Sequence, residues 1–159
     1  MGRFFFTILW LTFFTLGYAN QADEKPFCSE LLIIIEESQN DFESLRGPMV
    51  FDNAWEANLT LQGATVADIN LYDEEFNYYS EFANEGVLTR EIQKQYFDLR
   101  RRIENCLDNT WTVQDISDFE EVAMGVQFVQ PRKKVFIEIY IIRDIGEYFL
   151  EVRVGAVKD

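Results

Sequence analysis

The most regular hydrophobic pattern in the chain lies between residues 88 and 107. The pattern places apolar residues on one face of an α-helix and charged residues such as Glu91, Lys94 and Asp98 on the other. The apolar positions, spaced by three and four residues, are Leu88, Ile92, Tyr96, Leu99, Ile103, Cys106 and Leu107. The sequence therefore predicts an amphipathic helix over 88–107.

A second helix is predicted over 27–46. Pro26 suits the first turn of this helix, because an N–H at that position would have no intrahelical partner. Gly47 and Pro48 are typical of a helix stop. The apolar residues that share one face are Cys28, Leu31, Leu32, Ile35, Phe42 and Leu45. Three consecutive isoleucines in the same segment favour a strand, which leaves that alternative open.

Between the two helices the hydrophobic period changes to two. This alternation predicts strands over 55–61, 65–71 and 76–82, of which the third has the weakest pattern. Gln62 and Gly63 form a turn that makes a hairpin of the first two strands. The acidic run Asp73, Glu74 and Glu75 connects the second strand to the third, which ends at Asn84, Glu85 and Gly86.

The region after the second helix is predicted to begin with a loop over 108–118, in which Trp111 folds back onto the core. Stronger alternation then predicts strands over 122–128, 135–141 and 148–154. The connections are too short for parallel pairing, so these strands form an antiparallel meander. The residues on the second face of the meander are Phe136, Glu138, Tyr140, Glu151 and Arg153.

The order of elements is helix, three strands, helix, three strands. It predicts an α+β fold with two helices packed on one face of a mainly antiparallel sheet of about six strands, in the order α-βββ-α-βββ. The two halves follow a similar plan without a repeat at the residue level. Small exported α+β domains include secretion chaperones, inhibitors and immunity proteins, but a fold does not determine a function.

The first nineteen residues have the layout of a secretory signal peptide. Arg3 precedes an apolar run over 4–16, and Gly17 and Ala19 have the spacing of a cleavage site. The apolar run is shorter than the ~20 residues that span a bilayer, which makes a retained membrane anchor the weaker interpretation. The sequence therefore predicts cleavage after Ala19 and no stable membrane insertion afterwards.

The expected mature protein has a flexible terminus over 20–26 and a single α+β domain over 27–159. Small residues are expected before a lipidated cysteine, but Lys25, Pro26 and Phe27 precede Cys28, which argues against a lipoprotein. The predicted location is the periplasm or the extracellular space.

The chain has two cysteines, Cys28 and Cys106. In an oxidising compartment they are expected to form a disulfide that joins the start of the first helix to the end of the second. Closing so long a loop reduces the entropy of the unfolded chain by the equivalent of about 4–4.5 kcal/mol. The alternative is two buried free thiols. A catalytic thiol is disfavoured, because the chain has no histidine to activate it.

The charge of the chain narrows the choice of partner. There are 28 acidic and 14 basic residues, a net charge of −14, and loss of the leader with Arg3 makes the net charge one unit more negative. Binding to nucleic acids or anionic lipids depends on Lys and Arg, so the composition excludes a nucleic-acid partner and favours a basic protein. High solubility is the simpler interpretation of the same acidity.

The residue types also restrict the chemistry. The lack of histidine excludes a Ser-His-Asp or Cys-His site and a His-ligated metal centre. The eight glycines are scattered and form no phosphate-binding loop. The acidic clusters lack the spacing of a calcium loop, so no cofactor, metal site or enzymatic activity is predicted.

Aromatic and basic residues are the candidates for binding a partner. Tyr78 and Tyr79 are adjacent on a predicted strand and must point to opposite faces, so one of them faces outward. The predicted hairpin tip after the first meander strand carries three consecutive basic residues. The full set of candidates is Tyr78, Tyr79, Tyr140, Arg132, Lys133 and Lys134.

The sequence favours an exported, non-enzymatic interaction protein, of the inhibitor or immunity type, whose acidic surface engages a basic partner. One alternative is a carrier of a small apolar ligand lined by Phe76, Phe97, Phe128 and Phe136. A weaker alternative is a carboxylate-dependent hydrolase that uses Asp73, Glu75, Asp115 and Glu120.

Overall fold

The fold is taken from a computed structural model that describes residues 24–118 and 121–156. The predicted signal peptide over 1–19 lies outside the described residues, as does most of the predicted flexible terminus. The elements in chain order are α1 (Glu24–Glu37), β1 (Arg46–Phe51), β2 (Ala54–Ala57), β3 (Val66–Tyr72), β4 (Glu75–Glu85), α2 (Arg90–Cys106), β5 (Thr112–Asp115), β6 (Val122–Gln130), β7 (Val135–Asp144) and β8 (Glu147–Ala156). Two short 3-10 turns, Ser38–Asn40 and Glu43–Leu45, follow α1.

All the strands belong to one antiparallel sheet in the order β1-β2-β3-β4-β8-β7-β6-β5. Each half of the chain is a helix followed by a four-stranded meander, and the halves join where β4 pairs with β8. The predicted α+β class is therefore confirmed. The sheet has eight strands instead of about six, in the order α-ββββ-α-ββββ.

The two strands that the sequence analysis missed are the edges of the sheet. Strand β1 contains Gly47 and Pro48, which we interpreted as a helix stop; an edge strand tolerates proline because its outer N–H groups need no partner in the sheet. Strand β5 lies inside the predicted loop 108–118, and its four side chains are all exposed. Such strands lack the alternation of burial that produces a hydrophobic pattern.

Helix α1 ends well before residue 46, where the prediction placed its end. The Ser38 hydroxyl donates a hydrogen bond of 2.7 Å to the Ile35 carbonyl. Asp41 and Phe42 then adopt positive φ angles of 55° and 57°, which reverses the chain. Phe42 is nevertheless fully buried, so the apolar pattern continues past the end of the helix.

Helix α2 confirms the prediction to within two residues at each end. The Ile92 N–H donates to the Thr89 hydroxyl at 3.2 Å, a side-chain cap that fixes the start of the helix. Its buried residues are Ile92, Tyr96, Leu99 and Ile103. Within the described part of the chain, no helix is long and apolar enough to cross a membrane.

Both helices pack on one face of the sheet, which we call the covered face. The residues that form its core with the helices include Ile69, Val126, Phe128, Ile137, Ile139, Ile141, Leu150, Val152 and Val154. Tyr78, one of the predicted partner-binding residues, also lies here and is fully buried. Its hydroxyl donates to the Leu59 carbonyl at 3.1 Å and accepts from the Leu61 N–H and the Ser80 hydroxyl. Tyr78 therefore cannot contact a partner in this fold.

The predicted disulfide between Cys28 and Cys106 is present and joins residues separated by 78 positions. It ties the first turns of α1 to the last turn of α2. The Arg102 guanidinium lies 4.0 Å from the centre of the Phe27 ring beside it. The two helices are thus held together at the same end by a covalent bond and by a cation–π contact.

Candidate functional site

The sheet face turned away from the helices is called here the open face. Strand pairing aligns its side chains in three rows across the sheet, and directly opposed residues in a row are close enough to interact. The central row is Glu56, Asp68, Tyr79, Arg153, Glu138, Gln127 and Gln114. The row on one side is Val66, Glu81, Glu151, Tyr140 and Gly125, and the row on the other side is Asn70, Asn77, Gly155, Phe136, Val129 and Thr112.

Arg153 lies at the centre of the open face. Its Nη1 forms an ion pair with Glu138 Oε2 at 3.3 Å, and its Nε donates to Asn77 Oδ1 at 3.1 Å. The guanidinium also lies 4.9 Å from the centre of the Phe136 ring and 5.9 Å from that of Tyr79. These neighbours fix the guanidinium in one position.

A line of hydrogen bonds extends from Arg153 towards the β5 edge. Glu138 Oε1 accepts from Gln127 Nε2 at 2.7 Å, and Gln127 Oε1 accepts in turn from Gln114 Nε2. The line crosses four strands, from β8 to β5. The polar groups of this row therefore satisfy one another without help from the helices.

Tyr140, which is buried, and Glu151, which is partly buried, form a second pair beside Arg153. They are directly opposed on β7 and β8, and the Tyr140 hydroxyl donates to the Glu151 carboxylate. Burial raises the pKa of Glu151, and the negative charges of Glu81 and Asp68 raise it further. Burial likewise raises the pKa of Tyr140. Both shifts reflect the cost of placing negative charge where water is scarce.

Burial also raises the pKa values of residues on β3 and β4. Burial raises the pKa of Asp68, although Asn70 Nδ2 donates to its Oδ2 at 3.0 Å. Burial also raises the pKa of Tyr79, which faces Asp68 across the strand pair. The open face is therefore acidic. Its carboxylates are Glu56, Asp68, Glu81, Glu138 and Glu151, and Arg153 is the only basic residue in the three rows.

Two buried glycines shape this face. A Cβ on Gly155 would lie 2.6 Å from Cζ of Phe136, whose ring crosses over the glycine. A Cβ on Gly125 would lie 2.6 Å from Cγ1 of Ile116, which follows β5. Any larger residue at either position would displace these neighbours.

A depression of about 270 Å³ lies on the open face above β6 and β7. Its lining combines three isoleucine and valine side chains with the charged Glu138 and Arg153, and Tyr140 lies between Glu138 and Ile142 along β7. The lining residues are Ile116, Val122, Glu138, Tyr140, Ile142 and Arg153. The arrangement offers apolar contact beside the Arg153–Glu138 ion pair within one small volume.

The structure separates the predicted partner-binding residues. Tyr79 and Tyr140 lie on the open face on either side of β8, whereas Tyr78 lies in the core. The basic residues Arg132, Lys133 and Lys134 are exposed at the β6–β7 hairpin tip. Their role in binding a partner stays a prediction.

The sequence analysis placed Glu138, Glu151 and Arg153 on the second face of the meander without giving them a role. The sequence does contain a pattern that points to these residues: Glu138 and Tyr140 are two positions apart on β7, as Glu151 and Arg153 are on β8. Antiparallel pairing brings a carboxylate opposite an arginine and a tyrosine opposite a carboxylate. These two pairs could not be predicted from the spacing alone, because they also depend on the register of the β7–β8 hairpin.

The phenylalanines proposed to line a carrier site do not surround one cavity. Phe128 is buried under the helices, whereas Phe97 on α2 is 54% exposed. Phe136 lies on the open face, and the Phe76 ring is packed against Trp55 with the ring centres 5.6 Å apart. This prediction of a common site is wrong.

The carboxylates proposed for a hydrolase also lie apart. Asp73 is in the turn between β3 and β4 and Glu75 begins β4, whereas Asp115 ends β5 at the far edge of the sheet. Glu120 lies outside the described residues. The predicted convergence is therefore wrong for Asp73, Glu75 and Asp115.

No group of three or more Cys, Asp or Glu side chains among the described residues is placed to hold a metal ion. A scan against protein-family models, a search of curated proteins and a search of solved structures each returned no match.

Proposed function

We propose that the protein is an exported, non-enzymatic binding protein that engages a basic protein partner through its open face. The observation that carries the proposal is the excess of carboxylates on this face. Glu138 is compensated by Arg153, whereas Glu81, Glu151 and Asp68 lie close together without a second basic residue in the rows.

A basic partner would relieve an electrostatic cost that the free protein bears. Burial raises the pKa of Asp68 and of Glu151, so each carboxylate ionises at the expense of folded-state free energy. A cation placed beside them would favour the ionised form, and the net charge of −14 would attract such a partner from a distance.

Tyr79, which is half-buried on the open face, adds aromatic contact of the kind that stable interfaces need at their centre. Phe136 and Tyr140 are almost fully buried, and Tyr79 is half-buried between them and β3. Their positions are fixed before binding, which reduces the entropy lost on association.

The proposed location outside the cytoplasm is supported by the disulfide between Cys28 and Cys106, since such bonds persist in oxidising compartments. An inhibitor or immunity-type role remains part of the proposal. The carrier and hydrolase alternatives receive no support, because their residues are dispersed over the fold.

Site-specific photo-crosslinking tests the proposal. A photoreactive residue replaces Val66, which is 56% exposed on the open face, or Leu32, which is 50% exposed on α1. Each variant is incubated with the native extracytoplasmic fraction at low and at high salt. We expect a protein captured from position 66, less of it at high salt, and none of it from position 32.

Equal capture from both positions, or capture that salt leaves unchanged, would contradict the assignment of the open face. The matched exposure of the two positions controls for simple accessibility.

A further inference from the structure

We infer that the depression beside Tyr140 receives one long basic side chain, lysine or arginine, from the partner protein. This inference rests on the proposed function and makes it specific, since it names the group that the open face recognises and the place where that group lies.

The size of the depression indicates a single side chain. Sites for drug-sized ligands have volumes of about 300–1,000 Å³. The depression, at about 270 Å³, lies just below this range and is open to solvent. A side chain that reaches in from a partner fits such a volume, because its backbone stays outside.

The walls suit the stem of a long basic residue. Ile116, Val122 and Ile142 present apolar surface along one part of the depression. Lysine and arginine pack their methylene groups against apolar surface while the charged head remains in a polar environment. A short basic residue, or a long neutral one, would use only one of these two features.

The charges beside the depression suit a positive head. Glu138 and Arg153 line the depression as an ion pair, so the uncompensated negative charge beside it comes from Glu151, which accepts from the Tyr140 hydroxyl. Glu81 stands directly opposite Glu151 on the neighbouring strand. The negative charges near the depression thus outnumber the single positive charge of Arg153.

An acidic side chain fits the site less well. It would need Arg153 as its partner, but Arg153 already binds Glu138 at 3.3 Å and Asn77 at 3.1 Å. It would also approach Glu138 and the charges of β4 and β8. A purely apolar side chain would gain contact with the walls only.

Capped amino acids are suitable probes for the folded, disulfide-bonded protein. N-acetyl-lysine methylamide, the arginine equivalent, the uncharged norleucine equivalent and the glutamate equivalent are titrated separately. The readout is the NMR shift of the Ile116 and Ile142 methyl groups. We expect the two basic probes to shift these signals at concentrations about fivefold lower than norleucine, and glutamate to cause no shift.

Two variants separate charge from shape. Glu138→Gln should weaken binding of the lysine probe about fivefold and leave the norleucine probe unchanged. The matched control is Glu36→Gln, which removes the same charge from an exposed position on α1 and should leave both probes unchanged. Ile142→Ser should weaken both probes, and its far-UV circular dichroism checks that it folds.

The inference fails if norleucine binds as well as lysine, if glutamate binds more tightly than lysine, or if no probe shifts the two methyl groups. It also fails if Glu36→Gln weakens the lysine probe as much as Glu138→Gln does. A different result would contradict the proposed function while leaving the inference about the depression intact. In that case the basic probes enter the depression, but no protein is captured from position 66 in a salt-dependent way.

Discussion

The two faces of the sheet exclude water by different means. On β7 and β8 the covered face presents aliphatic residues that are fully buried beneath the helices: Ile137, Ile139, Ile141, Leu150, Val152 and Val154. The open face of the same two strands presents Glu138, Tyr140, Glu151 and Arg153, which pack on one another, and neither helix of the described residues lies above them. Along one hairpin, residues that point to the covered face are therefore stabilised by aliphatic burial, and the residues between them by polar contacts with one another.

The difference indicates where the stability of the fold lies. Burial of an aliphatic side chain contributes about 1.5–3 kcal/mol. A partly buried ion pair contributes little in net terms, because desolvation offsets the attraction between the charges. The covered face therefore accounts for folding, and the open face can be specialised for binding at small cost to stability.

Removal of the disulfide should have the largest effect, because the helices that cover one face are joined by it. The variant Cys28→Ala with Cys106→Ala should lose about 4 kcal/mol in the free energy of unfolding, since the bond closes a 78-residue loop. Urea denaturation followed by circular dichroism measures this loss. Wild-type protein under reducing conditions is the control, and a loss below about 1 kcal/mol would contradict the prediction.

Truncation of isoleucines on β7 compares the faces directly. Ile139→Ala on the covered face should cost about 3 kcal/mol, because Ile139 is fully buried and its removal leaves a cavity. Ile142→Ala should cost about 1 kcal/mol, since Ile142 lies half-buried beside the open depression. Urea denaturation of each variant measures the loss in the free energy of unfolding. Equal losses would show that the open face stabilises the fold as much as the core does.

Replacement of Arg153 tests the network of the open face. Arg153→Met should cost about 2 kcal/mol, because it leaves Glu138 without its cation and Asn77 Oδ1 without its donor. Glu138→Gln in the Arg153→Met background should cost less than it does alone. If the two losses simply add, Arg153 and Glu138 are not coupled and the network is not a unit.

The smallest effect concerns Glu151 and has the opposite sign. Burial raises the pKa of Glu151 in the folded protein, so its ionisation is penalised there. Its contribution to stability is present below its unfolded pKa of about 4.3 and is lost as the pH rises through the raised folded pKa. Glu151→Gln cannot ionise and still accepts from Tyr140, so it should be more stable than wild type at pH 7, on the order of 0.5 kcal/mol.

The pH dependence of this difference gives the decisive measurement. The stability gained by Glu151→Gln should shrink as the pH falls towards 4, because wild-type Glu151 then becomes neutral as well. Urea denaturation from pH 4 to pH 7 follows the difference, with Glu36→Gln as the variant of an exposed carboxylate. A gain that does not change with pH would contradict the assigned cause.

Elements with a complete hydrophobic period were predictable from the sequence. Helix α2 follows a spacing of three and four residues, the β6–β7–β8 meander follows a period of two, and the structure confirms both. Edge strands β1 and β5 were missed because only one side of each is paired and their side chains are largely exposed. The end of α1 was misplaced because buried Phe42 continues the apolar pattern in a non-helical turn.

The candidate site was predictable only in part. The period of two predicts that Tyr140 and Arg153 point away from the apolar face of the meander. The contact of Arg153 with Asn77, 76 residues earlier, does not follow from any local pattern. It depends on the pairing of β4 with β8, which no turn or short connection specifies.

The α+β class, the faces of the best-patterned strands and the pairing of the two cysteines could all be predicted from the sequence. These depend on the side-chain period and on the number of cysteines, which are local or countable properties. The tertiary structure alone decided that the two meanders join at β4 and β8, and hence that Asp68, Tyr79, Arg153 and Glu138 form one row. Long-range strand register decides which side chains meet across a sheet, and the acidic open face follows from it.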